Sequence, residues 1–179
     1  MRLFVTSNQQ FGRPGALNAY KRPFASLEEM NQHLIQKWNE TVNPEDTVFV
    51  VGNFAWDPEV AERVSGELNG QIYVIPGEWD RAIKDVADAS GSYADGMKVQ
   101  YMTIGIKELR TLGAVLTYWP MIEWPKKNKG WINFFGYPNK KYPSDHTKRV
   151  VNVSCDNWDF KPVEVTNIIR LYDDPDLNK

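Results

Sequence analysis

Three short turns carry the residues of this chain that could do chemistry. They read Asn8-Gln9-Gln10, Gly52-Asn53-Phe54 and Gly77-Glu78-Trp79-Asp80. Each follows an apolar run of strand length: Arg2 to Val5, Thr47 to Val51 and Gln71 to Ile75. In an open α/β sheet ligands bind outside the carboxyl ends of the strands, so the turns are expected to share one rim. A divalent-cation site at such turns would need anionic oxygens and imidazoles. The residue types here do not supply them. Asn8 and Asn53 have the shape of aspartate without its charge, and amides are weak ligands for transition metals. Glu78 and Asp80 are the only carboxylates in the three turns. The chain has 2 histidines. His33 falls in a helical stretch and His146 in a loop, so neither stands at a turn.

The elements that position these turns follow from periodicity and punctuation. Ser26 reads as a helix N-cap, with Glu28 and Glu29 in the favoured first turn. Leu27, Met30, Leu34, Ile35 and Trp38 recur at helical spacing and should face the sheet. Asn43-Pro44 ends that helix. Asp57-Pro58 opens the next, with Val60, Val64 and Leu68 as its buried stripe. Asn69-Gly70 ends it. Strand, helix, strand, helix, strand points to a parallel sheet with right-handed crossovers. Beyond Asp80 a short helix is expected over 81–89, a loop over 90–96, and strands over 97–109, 114–118, 131–135 and 149–155. A turn is expected near Thr111-Leu112-Gly113, a short helix over 168–171 and a polar tail over 172–179.

Composition bounds the class. The chain has 179 residues, 42% hydrophobic and 25% charged, which fits one soluble domain with a real core. No apolar run approaches the ~18 residues of a membrane span, and no membrane association is expected. Met1 to Ser7 turns polar too quickly for a signal peptide. Cys155 is the single cysteine, so an internal disulfide is excluded. A cytoplasmic location is expected. The net charge of -2 argues against electrostatic binding over the whole surface but not against a local basic patch.

The turns and their surroundings resemble those of the calcineurin-like metallophosphoesterases, most closely the small bacterial and phage members. In that family the turns usually read D-x-H, G-D-F and G-N-H-D. The resemblance continues through Arg22-Pro23-Phe24, Lys37-Trp38-Asn39, Pro44-Glu45-Asp46-Thr47-Val48 and Leu68-Asn69-Gly70. Leu116-Thr117-Tyr118-Trp119-Pro120-Met121 looks like a segment that usually reads L-S-H-Y-P-L. Gly136-Tyr137-Pro138-Asn139 looks like G-H-x-H. The resemblance implies an α/β fold, a single-domain α/β/β/α four-layer sandwich spanning 1–179.

It also implies where a two-metal site would lie. The first-turn metal Asp and His fall on Asn8 and Gln10, and the bridging Asp on Asn53. The metal-binding Asn falls on Glu78 and the catalytic His on Trp79. The later His ligands fall on Tyr118, Tyr137 and Asn139. Asp80, usually an orienting residue, is retained. No metal, cofactor or catalytic residue is therefore expected. Asn8, Gln10 and Asn53 are read as turn caps that satisfy backbone groups. Trp79 and Tyr137 either fill the crevice or line a pocket that binds without cutting.

A second surface is legible between Glu123 and Val150. Lys126, Lys127, Lys129, Lys140, Lys141, Lys148 and Arg149 interleave there with Trp131 and Tyr142. Such a pattern suits an acidic protein partner, single-stranded nucleic acid, or a solvated loop. The expectation is a pseudoenzyme that binds a macromolecule, with a protein partner ahead of nucleic acid. The small members occur in phages, which implies a phage protein modulating a host protein in the host cytoplasm. The alternatives are an active phosphoesterase with a rebuilt site on Glu78 and Asp80, or a non-catalytic nucleic-acid binder.

Overall fold

Capping and burial build the helices where the punctuation places them. In the computed structural model, which describes residues 1–80, 101–105, 113–138, 142–145 and 148–173, the Ser26 side chain accepts a bond from the Glu29 amide and opens α2 (Leu27–Thr41). Of 101–105 and 171–173 only the backbone course is described. Met30, Leu34 and Trp38 are the buried stripe of α2, and the Trp38 indole donates to the Asn69 carbonyl at 2.9 Å. Asp57 caps α3 (Pro58–Glu67) by accepting from the Val60 amide, with Pro58 at the first position. One α-helix and one strand were not expected. A five-residue helix, α1 (Ala16–Tyr20), follows the Arg13-Pro14-Gly15 turn, and a two-residue strand, β8 (Val163–Glu164), precedes α4 (Val165–Asp173). Neither is long enough to show a period.

Strands β1 (Leu3–Thr6), β2 (Thr47–Val51), β3 (Gln71–Ile75) and β8 form one sheet in the order β3-β2-β1-β8. The first three run parallel, and β8 is antiparallel to β1. Strands β4 (Tyr101–Gly105), β5 (Gly113–Thr117), β6 (Ile132–Phe135) and β7 (Val150–Asn152) form the second sheet in sequence order, with β5, β6 and β7 parallel. Of the strands expected after Asp80, 131–135 and 149–155 are shortened, 114–118 is shifted by one residue, and 97–109 is described only over Tyr101–Gly105. The turn expected near Thr111 lies partly, and the short helix over 81–89, the loop over 90–96 and the last residues of the tail lie wholly, outside the described residues.

Strand side chains alternate between faces, and the alternation assembles the core. Phe4, Val48 and Val50 face α2 and α3, packing on Met30, Leu34, Trp38 and Val64. Their neighbours Val5, Phe49 and Val51 face the second sheet, where Leu116, Phe134 and Val151 meet them. Ile168 and Ile169 of α4 join that intersheet core. On the outer face of the second sheet Val115 is covered by Trp124 and Trp131. The architecture is mixed α/β, two mixed sheets packed face to face, with the central strands β2, β5 and β6 buried on both faces.

A candidate binding site at the strand ends

Backbone geometry brings the turns together before any side chain does. The turn after β1 and the turn after β2 run side by side: the Asn8 amide donates to the Gly52 carbonyl, Gln10 to Asn53, and Phe11 to Phe54. Asn8, Gln10 and Asn53 have φ of 60°, 54° and 52°. This is the left-handed region, which asparagine tolerates better than most residues. The second sheet closes on the turns at Gly136. A Cβ there would lie 1.6 Å from the Val51 carbonyl oxygen, so only glycine permits the approach. At Gly52, where φ is 82°, a Cβ would meet the Tyr118 ring at 2.5 Å.

The side chains then form a closed polar floor. Asn53 Nδ2 donates to Asn8 Oδ1 at 2.9 Å and to the Tyr118 hydroxyl at 3.0 Å. Asn53 Oδ1 accepts from the Trp79 amide at 3.0 Å. Asn8 Nδ2 donates to the Gly136 carbonyl and to Ser7 Oγ. Asp80 turns away from this floor. Its carboxylate accepts from the amides of Asn53, Phe54 and Gly77 at 2.6, 2.8 and 2.8 Å. Burial pushes the Asp80 carboxyl above its ordinary range, against the pull of those three amides. Burial likewise raises the Tyr118 phenol, so the floor holds a neutral hydroxyl at physiological pH. Gln10 Oε1 accepts from Arg13 Nη1 at 2.5 Å, and Gln10 Nε2 is buried without a partner among the described residues.

An arginine holds the first turn from behind. Arg22 is buried, and its guanidinium donates to the carbonyls of Asn8 and Gln9. The same group forks onto Asp156 at 2.8 and 2.9 Å. Sequence reading noted Arg22 only within Arg22-Pro23-Phe24 and passed over Asp156. The pair is separated by 134 positions, and no local pattern carries a contact of that range.

The turn positions are therefore brought together, but not as a ligand set. Asn8 and Asn53 are spent on each other, Asp80 on the backbone, and Tyr118 on Asn53. Glu78 is exposed. Among the described residues no group of three or more His, Cys, Asp or Glu could hold a metal ion. The donors thus do not fit a two-metal centre. Of the two bulky residues, Trp79 is 39% exposed and stacks on Trp56 under the Arg13 guanidinium, while Tyr137 is half-buried against Tyr118 and Trp119. The side chain that fills the floor is Tyr118, 5% exposed. His33 packs between Phe24 and Phe160, away from the turns. Asn139 and His146 lie outside the described residues.

The basic segment divides in two. Lys126, Lys127, Lys129 and Trp131 precede β6, and Lys148 and Arg149 precede β7, so they stand at the opposite end of the second sheet from Gly136. Four residues of strand, about 13 Å, separate the two ends. Lys126 lies 4.3 Å over the Trp131 ring, Lys127 pairs with Glu123 at 2.7 Å, Lys148 with Asp145 at 2.7 Å, and Arg149 donates to the Gly130 carbonyl. Lys129 is exposed. Tyr142 instead joins the strand-end rim beside Tyr137. The described residues of this segment thus fall at both ends of the second sheet, because a parallel strand carries the chain from one end to the other. Lys140 and Lys141 lie outside the described residues.

No protein-family model matches the chain. A curated relative, the uncharacterized protein MJ1445 of Methanocaldococcus jannaschii, is 26% identical over 178 residues, covering 95% of this chain and 90% of its own length. The crystal structure of the protein of unknown function AQ665 from Aquifex aeolicus superposes with a TM-score of 0.69 at 16% identity, covering 95% of this chain and 98% of its own. The chain shares the overall fold of that structure. Among the described residues no helix is long and apolar enough to cross a membrane.

Proposed function

We propose that this protein is a non-catalytic member of the calcineurin-like metallophosphoesterase fold, a four-layer sandwich whose strand-end site now serves to bind a protein partner. The observation that carries this reading is the closed amide and phenol floor. Asn53 bonds to Asn8, Tyr118 and the Trp79 amide at once, so the side chains at the Asn8, Asn53 and Tyr118 positions are engaged with one another. Around that floor Trp56, Trp79, Trp119 and Tyr142 are 43%, 39%, 46% and 42% exposed. Exposed aromatic rings with Arg13 beside them are the composition of binding hot spots. A protein fits better than nucleic acid, because Lys126, Lys127 and Lys148 are engaged locally and stand away from this rim.

The test is elemental analysis of the purified protein, with a manganese titration by calorimetry and a phosphodiester hydrolysis assay. The expected result is no stoichiometric metal, no binding heat and no chelator-sensitive hydrolysis. One tightly held equivalent of metal, with hydrolysis that a chelator abolishes, overturns the reading in favour of a site rebuilt on Glu78 and its neighbours.

A further inference from the structure

Beside the rim a pocket of about 630 Å³ opens between α1, the turn after β6 and the short 3-10 turn Cys155–Asn157. That volume lies within the ~300–1,000 Å³ of ordinary ligand sites. Tyr20, Tyr137, Tyr142, Pro138 and Pro143 give it flat ring walls, and the rest of the lining, Ala19 apart, is polar. Trp119 extends the row, its ring 4.3 Å from that of Tyr137, which lies 6.0 Å from that of Tyr142.

Three features specify the ligand. The backbone of the pocket lip is already used. Asn152 Nδ2 donates to the carbonyls of Tyr137 and Tyr142, and Asp145 exchanges backbone bonds with Val150. A β-strand ligand therefore finds no open edge there. The side-chain donors, by contrast, are not used within the described structure. Among the described residues the hydroxyls of Tyr137 and Tyr142 and the indole N–H of Trp119 have no hydrogen-bond partner. Donors set on aromatic faces suit a chain that offers carbonyls and ring surfaces but needs no ladder, which describes a polyproline II helix. Charge supplies the third feature. The Asp156 carboxylate is neutralised by the Arg22 fork, whereas Lys21 is exposed on the lip and Arg13 bonds to Tyr20 from the other side. The pocket thus presents net positive charge.

We propose that this pocket binds a proline-rich segment in the polyproline II conformation, flanked by acidic residues, on the protein partner. The assignment rests on the binding reading and names the chemistry of that partner.

Fluorescence polarisation with a labelled oligoproline flanked by glutamates, against the same oligoproline flanked by arginines, tests it on the full chain. Saturable binding is expected, tighter for the acidic peptide. Tyr142→Ala, at an exposed position that does not carry the core, should weaken it by about tenfold or more. Tyr142→Phe should recover part of the loss, and Lys21→Glu should reverse the preference for flanking charge. Ile122→Ala, at an exposed position outside the pocket and the rim, should leave the affinity unchanged. Absence of saturable binding to either peptide overturns the proposal, as does binding that Tyr142→Ala leaves intact. The two readings fail separately. A metal-free protein, inactive on phosphodiesters, that ignores oligoproline keeps the binding reading and loses this ligand. Oligoproline binding by a metal-loaded, active phosphodiesterase does the reverse.

Discussion

Replacing Asn53 by aspartate restores the residue that the family resemblance expects and should destabilise the protein. The amide donates two bonds from Nδ2, at 2.9 Å to Asn8 Oδ1 and 3.0 Å to the Tyr118 hydroxyl, and accepts one from the Trp79 amide. A carboxylate keeps the Trp79 bond, and Tyr118 can rotate its hydroxyl to donate. Nothing replaces the bond to Asn8. Its Oδ1 would face a second acceptor at contact distance, and Asn8 cannot turn over because its Nδ2 serves Gly136 and Ser7. A buried acceptor without a donor costs about 1–3 kcal/mol. A buried, poorly compensated charge raises the total to about 3–5 kcal/mol near pH 7. That is a large share of the ~5–15 kcal/mol that holds a domain together.

The sign of the pH dependence follows. The folded carboxyl is raised above the unfolded value of about 3.9, so the penalty grows as pH rises above ~4. At pH near 5 the protonated acid can donate to Asn8 again and the deficit should shrink below about 2 kcal/mol. Urea unfolding followed by tryptophan fluorescence, for the wild type and Asn53→Asp at the two pH values, measures both numbers. Equal stability at the higher pH would refute the closed-floor reasoning. So would recovery of the lost stability by manganese, which would reveal a latent metal site.

Further outcomes follow from single contacts. Gly136→Ala should cost about 3 kcal/mol or more, because its Cβ meets the Val51 carbonyl at 1.6 Å and neither backbone can retreat; a lowered denaturation midpoint checks this. Burial pushes the Cys155 thiol up to about 12, so a thiol reagent at pH 8 should modify it only after unfolding in urea. Burial alone would raise the Asp46 carboxyl, but its fork with Arg2 and the amides of Asn43 and Arg2 hold it below its ordinary value. Asp46→Asn should therefore lower stability at neutral pH, with the deficit against wild type closing as the solution is acidified below about pH 4.

Much of the scaffold was legible in the chain alone. Ser26 and Asp57 announce helix starts through their own side chains, and Met30, Leu34 and Trp38 repeat at the helical period. These are interactions within a few residues, so the sequence displays them directly. The approach of Asn8 to Asn53 followed from the rule that parallel strands deliver their turns to one rim. What remained hidden depends on contacts between distant residues. The 134-residue separation of Arg22 and Asp156, and the choice of Tyr118 over Trp79 to fill the floor, were set by how the second sheet closes on the first at Gly136. Basic and aromatic residues adjacent in sequence between Lys126 and Arg149 were parted because strands carry the chain across the sheet. Local preference chose the elements; packing two sheets face to face decided which side chains became floor, rim and pocket.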